Sequence, residues 1–477
     1  MKENIFKPKS GGGGQGMESA NAEPKAGQRS LECTSPDSTS WKFDFGPGQA
    51  ASGYIGVAAD CLYSDEAGYG FEDVSRVYGR ARTPAGQGRE AAVSDCNSEP
   101  HCNPGSDYSS YSDRSYKSDD NSDPNCDSEP DRSLVPNPAV KSKSVVKSTS
   151  ALSAKVDTRT RLHHSFCIPM GATFAVRVPD GTYQVQILVG DSLAETHTTL
   201  KAGGNKMVLP PIRLAPGQFL EERFTIPVRG GRFRLNVSGQ APRLNMLEIH
   251  PAPGTMTLFL AGDSTVTDQP EDGYPYAGWG QLLPALFKHD VCVDNHAQSG
   301  CSSRSFIEEG RLKAILQLAK PGDFLMIQFG HNDEKPDPRG TDAFTTYKQH
   351  LLHYIEAARE KRVHPVLVTP VHRRYFNPDG TLSDTHGDYI QAMPELASET
   401  DTPLIDLAAR SKELFEAAGP EGSKDLFMWV YPGEYMNFPA GVQDNTHFQE
   451  QGGEAVARLI ADGIRDLQLQ PLLMYLR

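Results

Sequence analysis

No apolar run in the 477 residues approaches the 18 or so needed to cross a bilayer, so no membrane span is expected. Positive charge is also scarce. Lys and Arg number 47 against 61 Asp and Glu, and the formal charge of −14 opposes nonspecific nucleic-acid binding. Cysteines are few and scattered, at 33, 61, 96, 102, 126, 167, 292 and 301, with no CxxC pair, so no tight disulfide framework is expected. Residues 1–30 are polar and glycine-rich and lack the apolar core of a secretory signal. Taken literally, the chain is made and kept in the cytoplasm; a secreted protein whose signal has been removed would look the same.

Large aliphatics are few in residues 86 to about 158, which are rich in Ser, Asp, Asn and Pro. Such a segment cannot bury enough apolar surface to offset ordering and reads as a disordered insert. Its Asp119, Asn121 and Asp123 mimic the start of a calcium loop. Pro124 stands where the turn glycine belongs and Pro130 where the bidentate glutamate belongs, so calcium is rejected. Residues 1–40, with Gly11 to Gly14, read as a flexible tail.

Two kinds of pattern occupy the rest. Upstream, short strands and turn residues alternate: 173–178, the turn Pro179-Asp180-Gly181, 182–189, 224–228, 232–237 and 245–249. An antiparallel sandwich is expected over 41–252, interrupted by the insert. Downstream, over 253–477, apolar strands alternate with helical patterns at 279–288, 305–318, 345–360 and 453–467. Alternation of that kind argues a parallel sheet with helices on both faces.

The downstream strands end in polar residues. Residues 255–261 (TMTLFLA) run into Gly262-Asp263-Ser264-Thr265; the run at Val291-Cys292-Val293 leads to Ser299-Gly300; residues 324–329 lead to Gly330-His331-Asn332-Asp333. Further strands are read at 364–369 and 403–407, and Asp444-Asn445-Thr446-His447 precedes the last helix. Ligand crevices in open α/β sheets lie outside the carboxyl ends of the strands, so these blocks should converge. Ser264 is a candidate nucleophile, His447 a base and Asp444 an orienting carboxylate. The backbone N–H groups of Ser264 and Gly300 and the Asn332 amide are candidate oxyanion donors. Arg304 either lines a pocket or pairs with a carboxylate. Trp279 reads as core packing, His331 as loop support and Cys292 as a buried small apolar residue.

These blocks resemble the SGNH (GDSL-like) hydrolases. Gly278-Trp279-Gly280-Gln281, Ser303-Arg304-Ser305-Phe306, Thr369-Pro370-Val371-His372-Arg373-Arg374 and Asp444-Asn445-Thr446-His447-Phe448 are similar to the rhamnogalacturonan acetylesterase branch, carbohydrate esterase family twelve. The resemblance covers about residues 256–467 and implies a flavodoxin-like three-layer α/β/α fold. Trp41-Lys42-Phe43-Asp44-Phe45-Gly46 and the strands after it resemble a galactose-binding-like module. The implied activity is a serine esterase that removes acetyl groups from plant cell-wall carbohydrate, rhamnogalacturonan oligosaccharides foremost, with no metal or organic cofactor. Two alternatives stand beside it: a broader esterase or lipase acting on acetylxylan or small acyl esters, and a carbohydrate-binding protein with a secondary hydrolase fold.

Overall fold

The computed structural model describes residues 40–82 and 157–477; the tail, the insert and its calcium-like stretch lie outside the described residues. Strands Phe219–Val228, Gly181–Gly190, Met246–Pro251, Trp41–Phe45 and Ile55–Val57 form one sheet in that spatial order. A second sheet runs Ile212–Leu214, Thr196–Ala202, Arg232–Ala241, Ala172–Arg177 and Tyr69–Phe71. Period-two alternation puts Tyr183, Val185, Ile187 and Val189 inward from the first sheet, against Phe233, Leu235 and Val237 of the second. Phe43, Phe45, Phe71 and Phe174 fill the centre with ring centroids 5.0–6.1 Å apart.

Two details depart from a simple antiparallel meander. Trp41–Phe45 pairs in parallel with Ile55–Val57. Pro179-Asp180-Gly181 does not close a hairpin, because the strands it joins lie in different sheets; the segment carries the chain across the core.

The downstream half is a five-stranded parallel sheet in the order Val291–Asn295, Met256–Gly262, Phe324–Gln328, His364–Val368, Leu404–Ile405, or 2-1-3-4-5 along the chain. Both faces are covered, which is why the strands read as continuous apolar runs. Leu258, Leu260 and Met326 pack with Trp279, Val456, Ile460 and Ile464 on one side. Phe259, Ala261, Leu325 and Ile327 pack with Phe306, Ile315, Tyr354 and Leu396 on the other. The expected helix over 305–318 is two helices, Ser303–Glu308 and Arg311–Leu318, parted by Gly310 at φ 75°. The helix at 279 covers only Trp279–Leu282 and continues as a 3₁₀ turn through Pro284.

A seam joins the two halves. Met207, from the upstream half, lies in the core beneath the parallel sheet. Asn205 O accepts from Gln281 Nε2 at 2.9 Å, and Lys206 Nζ pairs with Asp268 at 2.7 Å. Arg229 pairs with Asp294, and Arg477 with Glu222 at 2.9 Å. Among the described residues no helix is long and apolar enough to cross a membrane.

Candidate active site

Ser264 sits in the turn that ends the strand Met256–Gly262, at the point where the order of the sheet reverses. The turn is tight. A Cβ on Gly262 would come within 2.6 Å of Val266 Cγ2, so only glycine fits there. Asp263, fully buried, braces the turn: its Oδ1 accepts from Thr265 N at 2.9 Å and Thr265 Oγ1 at 2.8 Å, and its carbonyl accepts from Val266 N and Thr267 N.

The Ser264 hydroxyl lies 2.9 Å from His447 Nε2, and His447 Nδ1 lies 2.7 Å from Asp444 Oδ2. Asp444 also accepts from Thr446 N at 2.7 Å and His447 N at 3.2 Å. Burial acts to raise the Asp444 pKa, but the bond and charge of His447 and the two backbone N–H groups outweigh it and hold the carboxyl below its usual range. Asp444 and His447 precede the last helix but stand in neither a loop nor its entry turn. They lie on the strand Val442–Gln449, which pairs antiparallel with Phe427–Val430 and with Tyr276–Ala277, and the last helix begins at Glu450.

Gly300 and Asn332 come from the next two strand ends. Gly300, at φ 85°, turns the chain under Ser264, where Gln298 N donates to Gly262 O at 3.0 Å. Asn332 Nδ2 donates one hydrogen to Cys301 O at 2.9 Å, while its Oδ1 accepts from Lys335 Nζ at 2.7 Å. Arg339 spans both, reaching Gly300 O at 3.1 Å and Asn332 Oδ1 at 3.5 Å. Among the described residues the N–H groups of Ser264 and Gly300 donate to no protein acceptor. Such a cluster can receive developing negative charge on an oxygen.

Arg304 stands apart, its Nε donating to Glu308 Oε1 of the same helix at 2.7 Å on an exposed face. Trp279 is in the core, 1% exposed, with Nε1 donating to Gln328 Oε1 at 2.8 Å. Cys292 is fully buried, and Cys301 is buried beside Glu309.

Several residues of the site carry no signal in their own sequence context. Tyr276 packs its ring against His447 at 5.0 Å, and burial raises its phenol pKa. Gln269 donates through Nε2 to Ser264 O at 3.0 Å, and its backbone N–H is held by Gln281 Oε1 at 2.9 Å. Gln281 in turn reaches Asn205 O, so a buried amide relay links the sandwich to the Ser264 turn. Gln269 sits between periodic segments, where spacing says nothing, and the helical pattern around Gln281 does not tell which distant carbonyl it reaches.

Arg374 clamps the strand carrying Asp444 and His447. Its backbone N–H donates to Asn445 O at 2.7 Å and its NH1 to Asn445 Oδ1 at 3.1 Å. Trp429 Nε1 donates to the same Oδ1 at 2.8 Å, with the guanidinium 4.7 Å from the Trp429 ring centroid. Arg374→Met is expected to lower kcat on a small acetate ester by about a hundredfold through misplacement of His447. Steady-state kinetics read this; a change confined to KM would count against positioning.

Behind the site lie His331 and His372. Burial holds each at about 4 instead of 6.5. Between those values the unfolded chain takes up protons that the folded chain refuses, so their stabilisation is complete above pH 6.5 and is lost as pH falls toward 4. Asp333, pushed up to about 7 mainly by burial, acts in the opposite sense, losing its contribution as pH rises from 3.8 to about 7. Two histidines against one carboxyl leave a net fall in melting temperature on acidification from 6.5 to 4. His372→Gln should flatten that slope; melting curves of unchanged slope would contradict it.

A 2-1-3-4-5 parallel sheet with a serine, histidine and aspartate in one hydrogen-bonded row at its carboxyl edge is the architecture of an ester hydrolase of the serine type. Residues 260–455 match the GDSL-like lipase/acylhydrolase family, and residues 41–97 match the beta-agarase/YxiM esterase-like, galactose-binding domain-like family. Rhamnogalacturonan acetylesterase RhgT of Bacillus subtilis is 53% identical over 212 residues, 44% of this chain and 90% of that protein. The uncharacterized esterase YxiM of B. subtilis is 28% identical over 436 residues, 89% of this chain and 90% of YxiM. Its crystal structure superposes with a TM-score of 0.43 at 25% identity, covering 91% of this chain and 99% of that one. The chain belongs to the GDSL-like hydrolases, with a galactose-binding-like β domain ahead of the parallel sheet.

Proposed function

We propose that the chain is a serine acetylesterase of plant cell-wall carbohydrate, with acetylated rhamnogalacturonan oligosaccharides as its substrate class. The observation that carries it is the row Ser264 Oγ, His447 Nε2, Asp444 Oδ2, with contacts of 2.9 and 2.7 Å, on a catalytic sheet that is 53% identical to RhgT. In this reading residues 253–477 perform the chemistry and residues 41–252 form the flanking sandwich.

His447 takes the proton as Ser264 Oγ attacks the acetyl carbonyl, and Asp444 holds the imidazole in the tautomer with hydrogen on Nδ1. The oxyanion is met by Ser264 N–H, Gly300 N–H and the free hydrogen of Asn332 Nδ2. His447 then gives the proton to the sugar oxygen as its bond to the acetyl carbon breaks, releasing it as a hydroxyl. Water, deprotonated by the same imidazole, attacks the acetyl-serine and releases acetate.

The test is acetate release by the full chain from acetylated rhamnogalacturonan fragments, acetylated xylan fragments and a chromogenic acetate. Highest kcat/KM on the pectic fragments is the expected result. Equal turnover on all three would favour a general esterase, and silence on all three would remove the esterase reading.

A further inference from the structure

We propose that Tyr274 and Tyr435 form a stacking platform for a pyranose ring of the substrate, at the rim of the cleft beside His447. The proposal rests on the reading of the chain as a carbohydrate esterase and adds to it where the sugar is held.

Tyr274 is 38% exposed, and its ring meets that of Tyr435 edge-to-face at 5.8 Å and 70°. The loop that carries Tyr435, residues 431–441, joins Phe427–Val430 to Val442–Gln449, the strand bearing Asp444 and His447. Tyr274 lies two residues before Tyr276, whose ring touches His447. The pair is therefore continuous along the chain, from both sides, with the acid–base strand.

Exposed aromatics normally fold inward, since leaving them in water forgoes about 25 cal/mol per Å². Here Tyr274 is held out, and Tyr435 beside it stays half-buried. Tyr431 N donates to Glu434 Oε2 at 2.9 Å, Phe438 N to Tyr435 O at 3.1 Å and Gly441 N to Phe438 O at 2.9 Å, so the loop is turned upon itself. Asn437 Nδ2 donates to Tyr274 O at 3.1 Å and ties the two segments together. From the sandwich, Lys201 places its ammonium 4.8 Å from the Tyr274 centroid while paired with Glu450. That cation takes one face of the ring, so the exposed surface lies away from it. An aromatic face is electron-rich and matches the C–H face of a sugar ring, whereas a hydroxyl-directed site would require polar side chains. An ordered apolar patch next to a reaction centre marks a ligand site.

Three variants of the full chain test the platform: Tyr274→Ala, Tyr435→Ala and Tyr274→Phe. The alanine variants should raise KM for acetylated rhamnogalacturonan oligosaccharides by about tenfold, equivalent to roughly 1.4 kcal/mol of lost stacking. The loss should be several times larger on the oligosaccharide than on a chromogenic acetate. Tyr274→Phe keeps the ring and should stay near the wild type. Equal losses on both substrates, or an unchanged oligosaccharide KM, would overturn the platform. Calorimetric titration of Ser264→Ala with the deacetylated oligosaccharide separates this proposal from the activity itself. Binding that weakens when Tyr274→Ala is added supports it even if no acetate is released, and binding indifferent to both tyrosines overturns it. Self-association abolished by Tyr274→Ala with oligosaccharide binding unaltered would assign the patch to a second copy and overturn it too.

Discussion

Ser264→Ala is expected to lower acetate release by about four to six orders of magnitude while leaving the melting temperature nearly unchanged. The hydroxyl's hydrogen-bond partner is His447, and the turn is braced by Asp263 and Gln269 through groups that alanine retains. Asp444→Asn should fall by about four orders of magnitude for a different reason. An amide nitrogen facing His447 Nδ1 would make that nitrogen the acceptor and leave the proton on Nε2, pointing at the serine it has to deprotonate. Thr446 N and His447 N would also lose part of a charge-assisted acceptor. Single-turnover acetate release beside a melting curve tests both. Turnover within tenfold of wild type in the folded Ser264→Ala protein would remove Ser264 as nucleophile.

Asn332→Ala should cost about a hundredfold to a thousandfold, mainly in kcat. Asn332 is 3% exposed, and Lys335 and Arg339 at Oδ1 together with Cys301 O at Nδ2 fix its amide before substrate arrives. A donor already in place gains most from the negative charge of the transition state and little from the neutral ester. A rise in KM with kcat untouched would mean that Asn332 binds substrate and does not stabilise the oxyanion. Alanine also removes the acceptor of the Lys335 ammonium, so Lys335→Met in the same background separates the two effects.

The parallel sheet is legible in the sequence because each strand is buried on both faces and ends in Gly, Ser, Asn or Asp. Burial makes the apolar runs, and the crevice makes the polar ends. The candidate acid and base are legible as Asp444-Asn445-Thr446-His447, but their strand is not, since residues 442–449 are polar and mostly half-exposed and show no alternation. Helix Asp388–Glu399 is masked by Pro394 within it, and the helix starting at Leu407 by the break at Gly419-Pro420 near its end. Tyr276, Gln281 and the Arg374 clamp escape detection because their partners lie far off in sequence. Arg374 bonds Asn445, 71 positions away, and Gln281 bonds Asn205, 76 positions away. Contacts of that span are properties of the folded chain, and no local pattern records them.

RhgT matches only 212 residues here, and these make up 90% of its own length, so it has no room for a second unit the size of the sandwich. In this chain, Met207 is inside the core under the parallel sheet, and Asn205 and Lys206 engage the backbone support of the Ser264 turn. The hydrolase half here counts a side chain of its neighbour as part of its own interior. The point where the chain passes from one half to the other is therefore not the point where the packing does. A scissor cut there would divide the sequence cleanly and leave the hydrolase with an open socket.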